Sequence, residues 1–164
     1  LLTEQGYAAL GVDNNRVMVE RCRELGLAVE NADVVEYLKL QRSRSQGVIS
    51  SFHVVEHLPL EKLVALIDEA LRVLKAGGLL ILETPNPANL TVGSCSFYYD
   101  TTHRNPLPAP LLKFLVEARG FVNVGIVPLH PVPEYARPQG DPLPRQIIDL
   151  LYGPQDYGVV GWKA

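Results

Sequence analysis

The chain is short of cysteine, methionine, tryptophan and basic charge. Among 164 residues there are two cysteines (Cys22 and Cys95), one methionine (Met18) and one tryptophan (Trp162). Cysteines far apart and without C-x-x-C spacing argue against a disulfide framework. They point to a reducing compartment or to buried thiols. A net charge of −3 leaves no broad basic field, so no nucleic-acid partner is expected. No apolar run is long enough to cross a bilayer, and no transmembrane segment is expected. Leu1 to Gly6 do not resemble a secretory signal, lack an initiator Met and read as the last turn of a helix stopped by Gly6. The expectation is one cytoplasmic domain over residues 1–164, incomplete at its N-terminus. Proline is nearly missing from the first half: twelve of thirteen lie after Glu83.

What is present alternates. Tyr7 to Val12 is a short apolar run ending at Asp13, and Asn14 or Asn15 can cap a helix from about Arg16 to Leu25, with Gly26 as its stop. Leu27 to Glu30 reads as a strand, and Asp33 caps a helix to about Leu40. Gly47 to Phe52 is apolar or small nearly throughout, as in a strand covered on both faces. Leu60, Leu63, Val64, Ile67, Leu71 and Leu74 make one helical stripe. Leu79 to Glu83 is the strongest strand signal, followed by a helix from Leu111 to Arg119 and a strand from Phe121 to Val127. Asp141-Pro142 opens a helix to about Tyr152, and Tyr157 to Trp162 is a last strand. Such alternation predicts an α/β, Rossmann-like three-layer sandwich with a mostly parallel sheet. The proline-rich connections near residues 85–110 and 128–142 are long enough to be functional. The first leaves the carboxyl end of a strand, where α/β sheets bind ligands.

Several residues there can carry chemistry. Asp13 ends a strand, and both its oxygens can accept from the hydroxyls of a ribose; it can equally serve a helix cap. Asp33 can accept from an adenine amino group while the next backbone N–H, that of Val34, donates to a ring nitrogen; here too a cap is the competing role. His53-Val54-Val55-Glu56-His57 spells H-x-x-E-H, the inverted zinc-protease pattern. That chemistry needs both histidines on one face of a continuous helix. The strand running into the motif, and Pro59 just after it, put the helix start near Leu58 with His53 outside. No metal site is expected. Phe52 and His53 instead emerge at the carboxyl edge of the sheet, facing a ligand, while Glu56 and His57 hold the following turn. Residues 97–106 (FYYDTTHRNP) form the densest polar and aromatic cluster. Asp100 can orient His103, His103 can act as a base, and Arg104 can hold a phosphate or carboxylate. An Asp-Thr-Thr turn satisfying its own backbone is the plainer reading.

The order acidic strand end, Ala32-Asp33, Phe52-His53-Val54-Val55-Glu56-His57-Leu58 and Leu71 to Pro87 resembles class I S-adenosylmethionine-dependent methyltransferases. Residues 97–106 and 152–157 (YGPQDY) resemble, more narrowly, bacterial methyltransferases of O-antigen and other surface-polysaccharide synthesis. The resemblance implies a seven-stranded sheet with an antiparallel last strand and S-adenosyl-L-methionine as cofactor. It implies ribose binding by Asp13 with Asn14 beside it, adenine framed by Asp33 and Val34, and Phe52 and His53 near the methionine part and the methyl group. Ala76-Gly77-Gly78 stands where the family has Pro-Gly-Gly. The family's first strand and its Gly-rich loop have no counterpart here. Their loss is expected to leave a gap, a re-paired sheet or an open edge through which a homodimer forms, and to weaken cofactor binding. The implied reaction is O-methylation of a sugar or sugar phosphate, a small molecule or glycan. His53 or His103 is the base for a hydroxyl acceptor; for a phosphate acceptor Arg104 positions it, with Asp100, His103 and Arg104 contacting substrate. Two other classes stay open: a different nucleotide-binding enzyme of Rossmann-like fold, and a non-catalytic binding domain.

Overall fold

Six strands and six α-helices alternate along the computed structural model, which describes residues 2–137 and 143–164. They fall into two compact units, one up to Arg42 and one from Ser43 onward.

In the first unit, β1 (Gly11–Asp13) and β2 (Val29–Asn31) pair in parallel, with Asp13 opposite Asn31. Helix α1 (Arg16–Glu24) is capped by Asn15, whose side-chain oxygen accepts from the N–H groups of Val17 and Met18. Helix α2 (Val34–Leu40) is capped by Asp33, which accepts from Val35 and Glu36. Both caps satisfy first-turn amides that a helix leaves orphaned. The expected helices and stops are present, Gly26 ending α1 at φ +73°. The strands are shorter than the apolar runs: Tyr7 and Leu10 stay exposed and lie outside β1.

The second unit holds a four-stranded sheet in the order β3-β4-β6-β5. Strand β3 (Gln46–Phe52) runs parallel to β4 (Leu74–Pro85). Strand β6 (Pro154–Lys163) lies antiparallel between β4 and β5 (Phe121–Pro131). The antiparallel last strand is therefore as expected. Strand β3 is not the doubly covered strand its composition suggests: among the described residues it pairs only with β4, and Val48 and Phe52 are both 56% exposed. Ala76-Gly77-Gly78 does not separate helix from strand but forms an irregularity inside β4. Gly77 has φ +72°, and a Cβ on Gly78 would come within 2.8 Å of the Lys75 carbonyl oxygen. Only glycine fits both demands.

Helix α3 (Leu60–Val73) buries Leu63, Leu66, Ile67, Ala70 and Val73. The expected stripe is rotated, since Leu60 is exposed and Leu66 takes a core place. The large ones among these buried side chains contribute roughly 1.5–3 kcal/mol each; Leu80 and Leu82 of β4 and Val159 of β6 are buried as well. Lys163 Nζ donates to the carbonyls of Leu71 and Leu74 at 2.6 and 2.7 Å, closing the end of α3. Helix α5 (Ala109–Ala118) starts two residues before its expected place, and its end is tied to α3 by the Arg119–Asp68 fork. The connection after β4 contains a short helix α4 (Leu90–Ser94) and a 3-10 turn at Ser96–Tyr99. Helix α6 (Arg145–Tyr152) begins after Pro144; the expected Asp141-Pro142 cap lies outside the described residues. The cysteines are free, and neither is buried: Cys22 is half-buried and Cys95 exposed. Among the described residues no helix is long and apolar enough to cross a membrane.

Candidate active site

In the first unit the acidic residues stand at the carboxyl ends of the parallel pair. Asp13 is the last residue of β1, and Asp33 follows two residues after β2. Asp13 is exposed. Its Oδ1 accepts from the Asn15 N–H at 2.7 Å, and its carbonyl accepts from Asn31 Nδ2 and from the Ala32 N–H. One carboxylate oxygen therefore fixes the turn into α1, and no bond engages Oδ2 among the described residues. Asp33 is half-buried and uses Oδ1 for its cap at 3.0 and 3.2 Å. The capping role weighed for Asp33 is thus real, while α1 is capped by Asn15, not by Asn14 or by Asp13, which holds the turn before it. Asn14 is exposed, and Val34 opens α2.

In the second unit β3 delivers Phe52 and His53 to its carboxyl end. The His53 amide extends the ladder to the Glu83 carbonyl at 3.0 Å, and its φ of +53° turns the chain out of the strand. A left-handed non-glycine residue costs roughly 1–2 kcal/mol, and His130 at the other side of the sheet shares the feature with φ +51°. His53 Nδ1 lies 3.4 Å from Glu56 Oε1. Its Nε2 faces Glu83 Oε1 at 3.6 Å and Asp156 Oδ1 at 3.9 Å. His130 Nδ1 meets Asp156 Oδ2 at 2.9 Å. The side chain of His53 is 46% exposed, so this face is open to a ligand.

Behind it, Glu56 sits in a 3-10 turn (Val55–His57) and is fully buried. The H-x-x-E-H letters therefore do not lie on one continuous helix, which removes the zinc-protease geometry. Thr84 Oγ1 donates to Glu56 Oε2 at 2.9 Å, and the Glu56 carbonyl accepts from the N–H groups of Arg104 and Asn105. Residues 97–106 are thereby pinned over the turn. Asp100 does not orient His103 through its ring. Its Oδ1 accepts from the hydroxyl and the N–H of Thr102, and these bonds hold its carboxyl below the usual range. Thr102 in turn meets His57 Nδ1 at 2.9 Å. His103 Nδ1 instead meets the Phe97 carbonyl at 2.6 Å, with its ring against Phe97 and His57. Arg104 is exposed. A cleft of about 130 Å³ beside this loop is lined by Pro85, Ser96, Phe97, His103, Gln155 and Asp156.

Three participants were not legible as such: Glu83, Asp156 and His130. Glu83 closes the strongest strand signal, and Asp156 lies in a segment that carries the resemblance. Only the β4-β6-β5 pairing, with Pro85 and Leu129 opposite Asp156, brings them together.

The fold has known counterparts. The family described as "Methyltransferase domain" matches residues 1–82. A SAM-dependent methyltransferase structure from Archaeoglobus fulgidus is 30% identical, with a TM-score of 0.85, over 99% of this chain and 79% of that one. A SAM-dependent methyltransferase from Thermotoga maritima shares the fold at 16% identity and TM-score 0.72, over 99% and 76%. One from Mesorhizobium loti does so at 16% and 0.68, over 98% and 83%. No curated protein matches. The matched half of the sequence and the 30% identical relative show that the chain belongs to the S-adenosylmethionine-dependent methyltransferases, enzymes whose cofactor is S-adenosyl-L-methionine.

Proposed function

We propose that the chain methylates an oxygen of a sugar or sugar phosphate during cytoplasmic synthesis of a surface polysaccharide. The observation that carries this is the setting of His53. One ring nitrogen is backed by Glu56, and the other faces outward between Glu83 and Asp156. A basic nitrogen flanked by two carboxylates suits an acceptor with several hydroxyls: the carboxylates accept from hydroxyls, and Nε2 takes the proton of the one that reacts. The likeness of residues 97–106 and 152–157 to polysaccharide methyltransferases supports the same class.

When bound, S-adenosyl-L-methionine supplies an electrophilic methyl group. Asp13 and Asn14 are the residues for its ribose. The exposed Oδ2 of Asp13 is suited to a diol, since Oδ1 is already engaged. Asp33 with Val34 frames the adenine, and Phe52 and His53 attend the methionine part. His103, held by Phe97, and Asp100 shape the acceptor side, and the exposed Arg104 suits a phosphate on the acceptor. A homodimer through the unpaired edge of β3 belongs to the same reading, and light scattering at the monomer mass removes it.

The test is methyl transfer from S-adenosyl-L-methionine to a panel of nucleotide sugars, sugar phosphates and amines, read by product mass. Methylated sugars, with loss of product in His53→Ala, support the reading. Transfer to amines alone, or none to any sugar, overturns it. A protein that fails to bind the cofactor at all favours a binding domain instead.

A further inference from the structure

The four histidines of the chain all gather around Glu56, Glu83 and Asp156. One atom in the gathering stands out. Glu56 Oε1 is completely buried and has no hydrogen-bond partner. Its sister oxygen is held by the Thr84 hydroxyl, so the direction of Oε1 is fixed.

Hydrogen bonding also fixes the two rings beside it. The Thr102 hydroxyl donates to Asp100 at 2.6 Å, so toward His57 Nδ1 at 2.9 Å it can only accept. The His57 proton is therefore on Nδ1. The Phe97 carbonyl can only accept as well, which puts the His103 proton on Nδ1. In neutral rings both Nε2 atoms are then lone pairs. His103 Nε2 lies 3.9 Å from Glu56 Oε1, and one ligand atom from each of Glu56, His57 and His103 lies within 4.8 Å of the others. Acceptors converge here beside a buried carboxylate oxygen to which His53 Nδ1, 3.4 Å away, makes no hydrogen bond, an arrangement that a cation resolves.

We propose that Glu56, His57 and His103 bind a divalent transition-metal ion. Two imidazoles and one carboxylate suit zinc, manganese, iron or cobalt better than calcium or magnesium, and leave coordination positions open. The other polar atom of every ligand is already held, by Thr84, Thr102 and Phe97. That is the outer support which metal-binding histidines and carboxylates ordinarily have. A second group, His53, Glu83 and Asp156, also lies within ligand reach. It is the weaker candidate, because His53 is half exposed and Asp156 is already engaged by His130. The site departs from the sequence expectation of no metal; it drops His53 from H-x-x-E-H and takes His103 from a distant loop. It stands apart from the acceptor reading and does not depend on it.

The probe is zinc alone, added to chelator-treated protein and followed by calorimetry. One equivalent per chain is expected, with affinity at least about 100-fold lower in His57→Ala and His103→Ala. In Thr102→Ala, which removes the hydroxyl between His57 and Asp100 and leaves all three ligands in place, it is about 10-fold lower. Side-chain nitrogen NMR of the unaltered protein gives a readout free of folding defects: zinc shifts the Nε2 resonances of His57 and His103. Failure to take up stoichiometric zinc overturns the proposal. So does binding that survives both substitutions but is lost in His53→Ala, or a zinc shift confined to His53 and His130.

Discussion

The two units treat their carboxylates in opposite ways. In the first, Asp13 and Asp33 sit at strand ends and accept from backbone N–H groups two or three residues ahead. In the second, Glu56, Glu83 and Asp156 are drawn inward and meet histidines from other strands and loops. The first arrangement is local and cheap, because a cap needs only the next turn of chain. The second exists only once distant segments have paired. Carboxylates of the first kind are anchored by the backbone they also stabilise, while those of the second meet side chains brought from other segments.

The largest test of this contrast is His53→Ala. Removing the outward nitrogen should lower kcat for a hydroxyl acceptor by about 10²–10⁴-fold, with cofactor affinity changed far less; a split in the opposite sense would move His53 from the acceptor to the cofactor. Next is Asp13→Ala. Loss of a charged acceptor for a ribose diol should weaken S-adenosyl-L-methionine by about 1.5–3 kcal/mol, roughly 10- to 150-fold by calorimetry. Unchanged affinity would reduce Asp13 to its turn.

Tyr157→Phe probes how tightly the second unit is tied. The Tyr157 hydroxyl donates to the Leu107 carbonyl at 2.7 Å inside the core. Its loss should cost about 1–3 kcal/mol in denaturant unfolding. Burial, reinforced by the charge of Glu56, pushes the Tyr157 phenol well above its ordinary value of 10.0. The folded protein therefore keeps this proton where the unfolded chain gives it up. Stability from this group is complete below pH 10 and falls above it, by about 1.4 kcal/mol per pH unit. The Phe variant should lack that alkaline slope. The smallest effect separates the two roles of Asp33: Asp33→Ala should cost about 1 kcal/mol of stability through the lost cap, and Asp33→Asn almost none. If Asp33→Asn nonetheless loses cofactor affinity, the charge serves adenine recognition as well.

The same contrast explains what could be read from the sequence. Helices α1 and α2, their caps and the Gly26 stop are written in adjacent residues, whereas the antiparallel direction of the last strand is implied only by the family resemblance. Residues 71–87 carry the family. The exposure of Val48, the rotation of α3 and the inclusion of Gly77 in β4 follow from which strands pair with which, and periodicity does not contain that. At the site, Phe52 and His53 emerge where a strand end predicts them. His57 bound through Thr102 to Asp100, and Asp156 lying between His53 and His130, depend on segments that meet only in the folded chain.

Strand β6 has a consequence in time. It sits between β4 and β5, and neither of those is hydrogen-bonded to the other. On the ribosome, Pro85 ends β4 long before Pro154 begins β6. At about 5–20 residues per second this interval is several seconds. Through it β4 carries an open edge, and β5 has no strand beside it until β6 arrives. The four-stranded sheet and the setting of Asp156 therefore form together, once Pro154 to Lys163 have been made. During those seconds a chaperone or a neighbouring nascent chain competes with β6 for the same edge.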